Sequence, residues 1–222
     1  MAGRARARVL TFGLAEHADV RGEALRCAFP ERLSLTVRHA GEALPLRTAL
    51  VGEHMAHPLL AAIAVGIACG VPFAECVRRL EGATGRRQRL SVHETPSGAV
   101  FLADTRKAPL WAMEAALRVM EQARAPRKTI VVGTLSGYAG SSGRHYRRVA
   151  QRALGIAERV WFVGPNAERV RKDVPAAGTR ELRMFPTVLA LHEHLHERIG
   201  PGDLILLKGS LADHLERLVE AE

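Results

Sequence analysis

The second half of the chain alternates between short apolar runs and stretches with apolar residues at helical spacing. Four buried strands are predicted from the runs, near residues 99–104, 129–133, 160–163 and 204–207. Helices are predicted between and after them, near residues 110–123, 144–154, 187–198 and 211–219. Strands that alternate with helices form parallel sheets covered on both faces. The pattern therefore predicts a Rossmann-like α/β domain with a mostly parallel sheet.

The first half has a different pattern. Residues 33–39 alternate apolar and polar side chains, as a half-buried antiparallel strand does, and the turn after them predicts a second short strand. With a further strand predicted at 8–14, these form a small β-meander. Helices are predicted from Gly52 to Gly70 and over 71–80. A linker rich in glycine and arginine follows, so we place a domain boundary between residues 84 and 85.

Composition narrows the function classes. The chain has 222 residues, enough for a core and for two small domains. No apolar run reaches the about 18 residues that span a bilayer, and the basic first residues do not lead into a signal-peptide segment, so a cytoplasmic location without a membrane partner is expected. The net charge of +9 would suit nucleic acid. Because arginine is scattered and only two Trp and two Tyr are present, a nucleic-acid partner is not expected.

Charged residues follow the first strand of the predicted parallel sheet. Asp104, Arg106 and Lys107 lie between that strand and the next helix. In open α/β sheets ligands bind at the carboxyl ends of the strands, and Lys208 and Ser210 follow the last strand onto the same edge. An ordinary connection with a solvated charge cluster would give the same pattern.

A Gly/Ser loop at 133–143 ends the second strand and enters a basic helix. Backbone N–H groups and hydroxyls there would suit a phosphate or carboxylate, although a plain flexible loop is an equal alternative. His192 and His196 lie one helical turn apart, but without an H-E-x-x-H arrangement a solvated helix face is favoured over zinc. His54 could bind a metal or a nucleotide, or serve only in capping or packing.

Several segments, in order, resemble the Mur ligase family, most closely its D-alanyl-D-alanine-adding branch. Residues 52–66 resemble the G-x-H-N-x-x-N-A-L-A-A-I-A-V-G segment, and Arg89 falls where the family places an arginine at the start of its last domain. Residues 104–117 align without gaps on D-S-Y-N-A-N-P-D-S-M-R-A-A-L. Near the end, residues 202–210 resemble G-D-x-x-L-x-K-G-S, followed by the Glu-Arg of M-E-R at 216–217.

This resemblance implies an ATP-dependent, Mg²⁺-dependent peptidoglycan ligase that joins a carboxylate to an amine through an acyl phosphate. By the resemblance, Asp104 and Lys107 are catalytic, and Lys107 reaches the transferring phosphate. His54 and Arg89 join them in binding the nucleotide. The implied substrate contacts are Tyr138, Ser141, His145, Lys208 and Ser210.

The chain also departs from the family pattern. Pro58 stands where the family has an adenine-contacting asparagine, and a proline cannot make that side-chain hydrogen bond. Arg106, Lys107 and Pro109 replace the tyrosine and asparagines of D-S-Y-N-A-N-P, although the D-glutamate-adding branch uses a lysine at the 107 position. Thr134 replaces an acidic residue. A muropeptide substrate is therefore not assumed.

The family's G-x-x-G-K-[ST] phosphate loop is absent from this sequence, as are the metal-binding acids that accompany it. Residues 1–84 are thus expected to be the closing part of the family's ATPase domain and 85–222 its complete C-terminal domain. The favoured hypothesis is a ligase half that needs a separate N-terminal half, or that self-associates through residues 1–50. The alternatives are a non-catalytic module that binds a nucleotide or substrate, and a basic nucleic-acid-binding protein.

Overall fold

A computed structural model describes residues 9–170 and 180–220. The chain divides into two compact units, Met1–Thr84 and Gly85–Glu222. Across the described residues, no helix is both long enough and apolar enough to span a bilayer.

The first unit is a four-stranded sheet with two helices. The strands lie in the order β1 (Phe12–Gly13), β2 (Val20–Arg26), β3 (Ser34–His39) and β4 (Glu42–Arg47). The β1 strand pairs parallel with β2, and the other pairs are antiparallel. Helices α1 (Ala56–Ala68) and α2 (Phe73–Leu80) bury their apolar residues in the core that the sheet also lines. The antiparallel pair β3–β4 and both helices confirm the predictions.

Two details of this unit differ from the sequence prediction. The strand predicted at 8–14 is only two residues long, and Arg8 lies outside the described residues. The β2 strand was not predicted, because Gly22 interrupts its apolar pattern. A Cβ at Gly22 would lie 2.9 Å from Leu35 Cδ1 and 3.0 Å from Leu60 Cδ1, so a larger residue there would have to displace these leucine side chains.

The second unit is built on a six-stranded sheet. Its strands are β5 (Ser91–Glu94), β6 (Val100–Asp104), β7 (Arg127–Val132), β8 (Arg159–Val163), β9 (Glu181–Phe185) and β10 (Asp203–Lys208). Their spatial order is β5–β6–β10–β7–β8–β9, and all neighbours are parallel except β5 with β6. The predicted mostly parallel sheet is therefore confirmed.

Helices cover both faces of this sheet. They are α3 (Leu110–Gln122), α4 (Ser142–Leu154), α5 (Val188–His196) and the short α6 (Arg217–Glu220). Successive strand residues point to opposite faces. Phe162 accordingly packs against Tyr146 of α4, whereas Trp161 belongs to the core formed with α5 and α6.

The prediction of a helix over 211–219 is wrong. Leu211–Asp213 form a 3-10 turn, and His214 then adopts a left-handed conformation with φ of 53° before α6 begins at Arg217. Leu215 and Leu218 are fully buried, so the apolar spacing serves the core without a continuous helix.

His194 packs its ring against Trp161 and Phe185, and it should make stability depend on pH. Burial, with the nearby Arg198 and Arg183, lowers the pKa of His194. Protonation therefore favours the unfolded chain, so the free energy of unfolding should fall as the pH drops below about 6.5, the ordinary histidine value. We expect His194→Gln to lose this part of the pH dependence in urea unfolding at pH 5 and 8. An unchanged dependence would assign it to other groups.

Candidate functional site

The carboxyl ends of β6, β7 and β10 form the edge where most predicted site residues lie. The β10 strand lies between β6 and β7, and the sheet register pairs Lys208 with Asp104 on one side and with Val132 on the other. Two residues 104 positions apart in the chain are thereby placed opposite each other.

Asp104 and Lys208 form a buried ion pair at this edge. Lys208 Nζ donates to Asp104 Oδ2 at 2.6 Å and to the backbone oxygen of Lys107 at 3.0 Å. The Asp104 side chain is only 12% exposed and the Lys208 side chain only 3%. An ammonium has three donors, so two of the three on Lys208 are already used within the protein. The pair fixes the loop that follows β6.

That loop presents two cations to solvent. The side chains of Arg106 and Lys107 are exposed, and neither has an ion-pair partner in the part of the chain that the structure describes. The Lys107 backbone is held by Lys208, whereas its ammonium remains available to an anionic ligand. The loop thus combines a fixed backbone with an available charge.

The other two predicted nucleotide contacts are carried by other elements of the chain. Arg89 is exposed in the turn that precedes β5. His54 belongs to the first unit, on the 3-10 turn Glu53–Met55 that leads into α1.

Asp213 is a residue of this edge that the sequence analysis missed. Its carboxylate accepts from Thr134 N and Oγ1 at 2.9 and 2.6 Å, and from Ser210 N and Oγ at 2.6 and 3.0 Å. A Cβ at Gly133 would lie 2.5 Å from Asp213 Oδ2, so glycine allows this approach. Asp213 thus joins the loops that follow β7 and β10, and the predicted substrate residue Ser210 is oriented by it.

Removing this carboxylate should loosen the edge. We expect Asp213→Ala to lower the free energy of unfolding by about 2–3 kcal/mol, because four hydrogen bonds to a charged acceptor are lost. Urea unfolding measures the loss. Ser210→Ala removes one of the four and should cost less than about 1.5 kcal/mol. Equal losses from the two variants would contradict the bridging role.

The Gly/Ser loop is held at several points. Ser136 N donates to Ala108 O at 2.9 Å, and Leu110 N donates to Ser136 O at 2.8 Å, which ties the loop to the start of α3. Leu135 N donates to the buried Tyr146 hydroxyl at 2.9 Å, and burial raises the pKa of Tyr146. The segment from Leu135 to Ser136 is therefore anchored rather than a plain flexible loop.

Two of the predicted substrate residues meet beyond this anchor. The rings of Tyr138 and His145 lie 4.9 Å apart, and His145 Nε2 is 2.9 Å from Ala139 O. Ser141 is exposed at the N-cap of α4, and its side chain makes no capping hydrogen bond. Hydroxyl, imidazole and helix N–H groups here can bind an anionic ligand.

Among the described residues, no cluster suited to a metal appears at this edge. Within residues 9–170 and 180–220, no three His, Cys, Asp or Glu side chains are grouped to hold an ion. His192 and His196 stack with ring centres 6.1 Å apart on α5.

Comparison with known proteins agrees with this architecture. Residues 88–211 match the family model described as Mur ligase, glutamate ligase domain. The chain is 32% identical over 176 residues to the UDP-N-acetylmuramoyl-tripeptide–D-alanyl-D-alanine ligase of Treponema pallidum, covering 78% of this chain and 38% of that protein. It is 24% identical over 213 residues to the UDP-N-acetylmuramate–L-alanine ligase of Desulfotalea psychrophila, covering 91% and 46%. The chain thus spans less than half the length of these relatives.

Solved structures show the same fold. A crystal structure of MurF from Acinetobacter baumannii superimposes with a TM-score of 0.82 at 24% identity, covering 96% of this chain and 46% of that one. MurF from Thermotoga maritima, solved in complex with ADP, gives a TM-score of 0.77 at 19% identity, with coverage of 95% and 47%.

Proposed function

The Mur ligase family model matches more than half of this chain, so the chain belongs to that family, and we propose that it is the C-terminal portion of an ATP-dependent carboxylate–amine ligase. In the proposed reaction a carboxylate oxygen attacks the γ-phosphorus of ATP and releases ADP. The amine nitrogen then attacks the carbonyl carbon of the acyl phosphate; the C–O bond to phosphate breaks, the nitrogen loses a proton to solvent, and an amide and phosphate are left. The observation that carries the proposal is the exposed Lys107 ammonium on a loop fixed by the Asp104–Lys208 pair.

Lys107 is proposed to act on the transferring phosphoryl group. Phosphoryl transfer is accelerated mainly by positioning and by neutralising charge on the phosphate oxygens. An exposed ammonium on a fixed backbone suits this task, since little order must be gained when the phosphate arrives. Asp104 is proposed to act largely through position, because its Oδ2 holds Lys208 and thereby the Lys107 carbonyl.

The described residues include groups suited to ATP but no group of side chains suited to Mg²⁺. The exposed cations Arg89 and Lys107 suit the phosphates of a nucleotide, and His54 of the first unit is proposed as a further nucleotide-binding residue. The described residues offer no carboxylate cluster for Mg²⁺. We therefore assign the ion's ligands to the nucleotide phosphates and to the N-terminal half of the ligase. When bound, the ion would neutralise phosphate charge.

The carboxylate or amine substrate is assigned to the loops beside Lys107. Tyr138 and Ser141 on the 133–143 loop and His145 on α4 are proposed to face this substrate, and Ser210 contributes a hydroxyl held by Asp213. Lys208 is assigned an indirect role, because most of its donors are used by the protein. The departures at Arg106, Pro109 and Thr134 leave the substrate's identity open.

A partner that supplies the missing phosphate loop is part of the proposal. The first unit exposes apolar side chains near its start, with Val9 at 42%, Phe12 at 45% and Leu14 at 43%. Exposed apolar groups in one segment are typical of protein–protein contacts. Their position supports association with an N-terminal ligase half or, through residues 9–50, with a second copy; residues 1–8 lie outside the described residues.

Isothermal titration with Mg-ATP tests the proposal. The chain is titrated alone and after addition of a candidate N-terminal half from the neighbouring reading frame, with ADP release measured in parallel. Binding or ADP release only with both halves is the expected result. Tight binding by this chain alone would instead favour the non-catalytic module, an alternative that the missing phosphate loop supports. If neither titration shows binding or ADP release, the ligase proposal is contradicted.

A further inference from the structure

A groove of about 490 Å³ lies between α3 and α4 and is also lined, at one end, by the loop at 137–139. Its volume falls within the range of small-molecule sites. Apolar side chains from both helices line it, among them Met113, Leu117 and Val149. Each of these three side chains is no more than 4% exposed, so they form the buried floor of a concave surface.

Aromatic rings surround one end of this groove. Trp111 is 80% exposed, whereas Trp161, the other tryptophan of the chain, is fully buried. Tyr138 and His145, whose rings are in contact, line the groove beside Trp111. An exposed indole face offers a large, flat surface on which another ring can stack. This end of the groove suits a flat ring better than an aliphatic chain.

Among the described residues, the acidic side chains around the groove pair with Arg118 and Arg152 and not with Arg148. Glu114 is paired with Arg152 at 3.0 Å and with Arg118 at 3.7 Å, and Glu121 also pairs with Arg152 at 2.7 Å. Arg148 also lines the groove, and no acidic side chain among the described residues pairs with it. A planar guanidinium binds a carboxylate through two parallel hydrogen bonds. The groove therefore favours an anion over a cation.

The geometry points to a binding site for a small carboxylate that carries a flat apolar ring. The ring stacks on Trp111 beside Tyr138, and the carboxylate pairs with the Arg148 guanidinium. The inference rests on the proposed function only in taking Tyr138 and His145 as residues that face a ligand. It requires neither ATP nor an N-terminal half, so this binding and the proposed ligation can fail separately.

The two tryptophans make the test direct. In the ¹⁵N-labelled full chain each gives one indole N–H signal, and Trp111→Phe identifies which is which. The chain is titrated with phenylacetate, with its neutral analogue 2-phenylacetamide, and with acetate, which lacks the ring. Phenylacetate is expected to move the Trp111 signal saturably, with an affinity at least about tenfold higher than that of either other probe. The Trp161 signal should stay in place.

Two exposed arginines of the same helix provide matched variants. Arg148→Ala should weaken phenylacetate binding about tenfold, and Arg144→Ala, which removes the same charge outside the groove lining, should change it less than about twofold. Three results would each overturn the inference. The first is equal affinity for the acid and the amide, and the second is an equal effect of the two variants. The third is a Trp111 signal that does not move at millimolar concentrations of any of the three probes.

Discussion

Replacing Lys208 by methionine should lower the free energy of unfolding of the second unit by about 3–5 kcal/mol, because it leaves the Asp104 carboxylate buried without its cation. The side chains of the two residues are 3% and 12% exposed, and their charged atoms are 2.6 Å apart. A buried charge without a partner has lost its hydration free energy, and no ion pair or hydrogen bond compensates for that loss. Urea unfolding of the full chain, followed through the buried Trp161, measures the loss.

Two further variants isolate the ion pair. Lys107→Met makes the same substitution at an exposed lysine of the same edge and should cost less than about 0.5 kcal/mol. Asp104→Leu combined with Lys208→Met removes both charges and should recover much of the stability lost in the single variant. If Lys208→Met costs no more than Lys107→Met, the pair is not buried in solution.

Parts of this edge could be predicted from the sequence because they depend on local patterns. Apolar runs followed by turns mark the ends of parallel strands, and those ends meet at one edge, so Asp104 and Lys208 were expected to lie there together. Their direct pairing could not be predicted. It depends on β10, the last strand in the chain, lying between β6 and β7. Local patterning carries no information on strand order.

Asp213 was missed because a helix was predicted through it. Leu211, Leu215 and Leu218 have the spacing of one helix face, but the left-handed His214 ends the 3-10 turn after Asp213. The carboxylate is thereby directed to Thr134 and Ser210.

The edge strands β5 and β9 were missed for another reason. Both are partly exposed and lack the apolar run that marks a buried strand.

In the reconstituted ligase, Lys107→Ala is expected to reduce ATP-dependent turnover by at least about 10²-fold, because it removes the proposed cation from the transferring phosphoryl group. Arg106→Ala is the matched control, since it removes a neighbouring exposed charge from the same loop. It should retain turnover within about threefold. ADP release and amide formation are measured for both variants.

Loss of turnover in Lys107→Ala could not be attributed to a disturbed fold. Lys208 is held by the backbone oxygen of residue 107, which alanine retains, and the exposed Lys107 side chain makes no hydrogen bond or ion pair with the described residues. The urea midpoint should therefore match that of the unmodified chain. A lower kcat at unchanged KM would place the ammonium at the phosphoryl group during transfer, whereas a higher KM alone would place it only in nucleotide binding. Full activity would remove Lys107 from the mechanism.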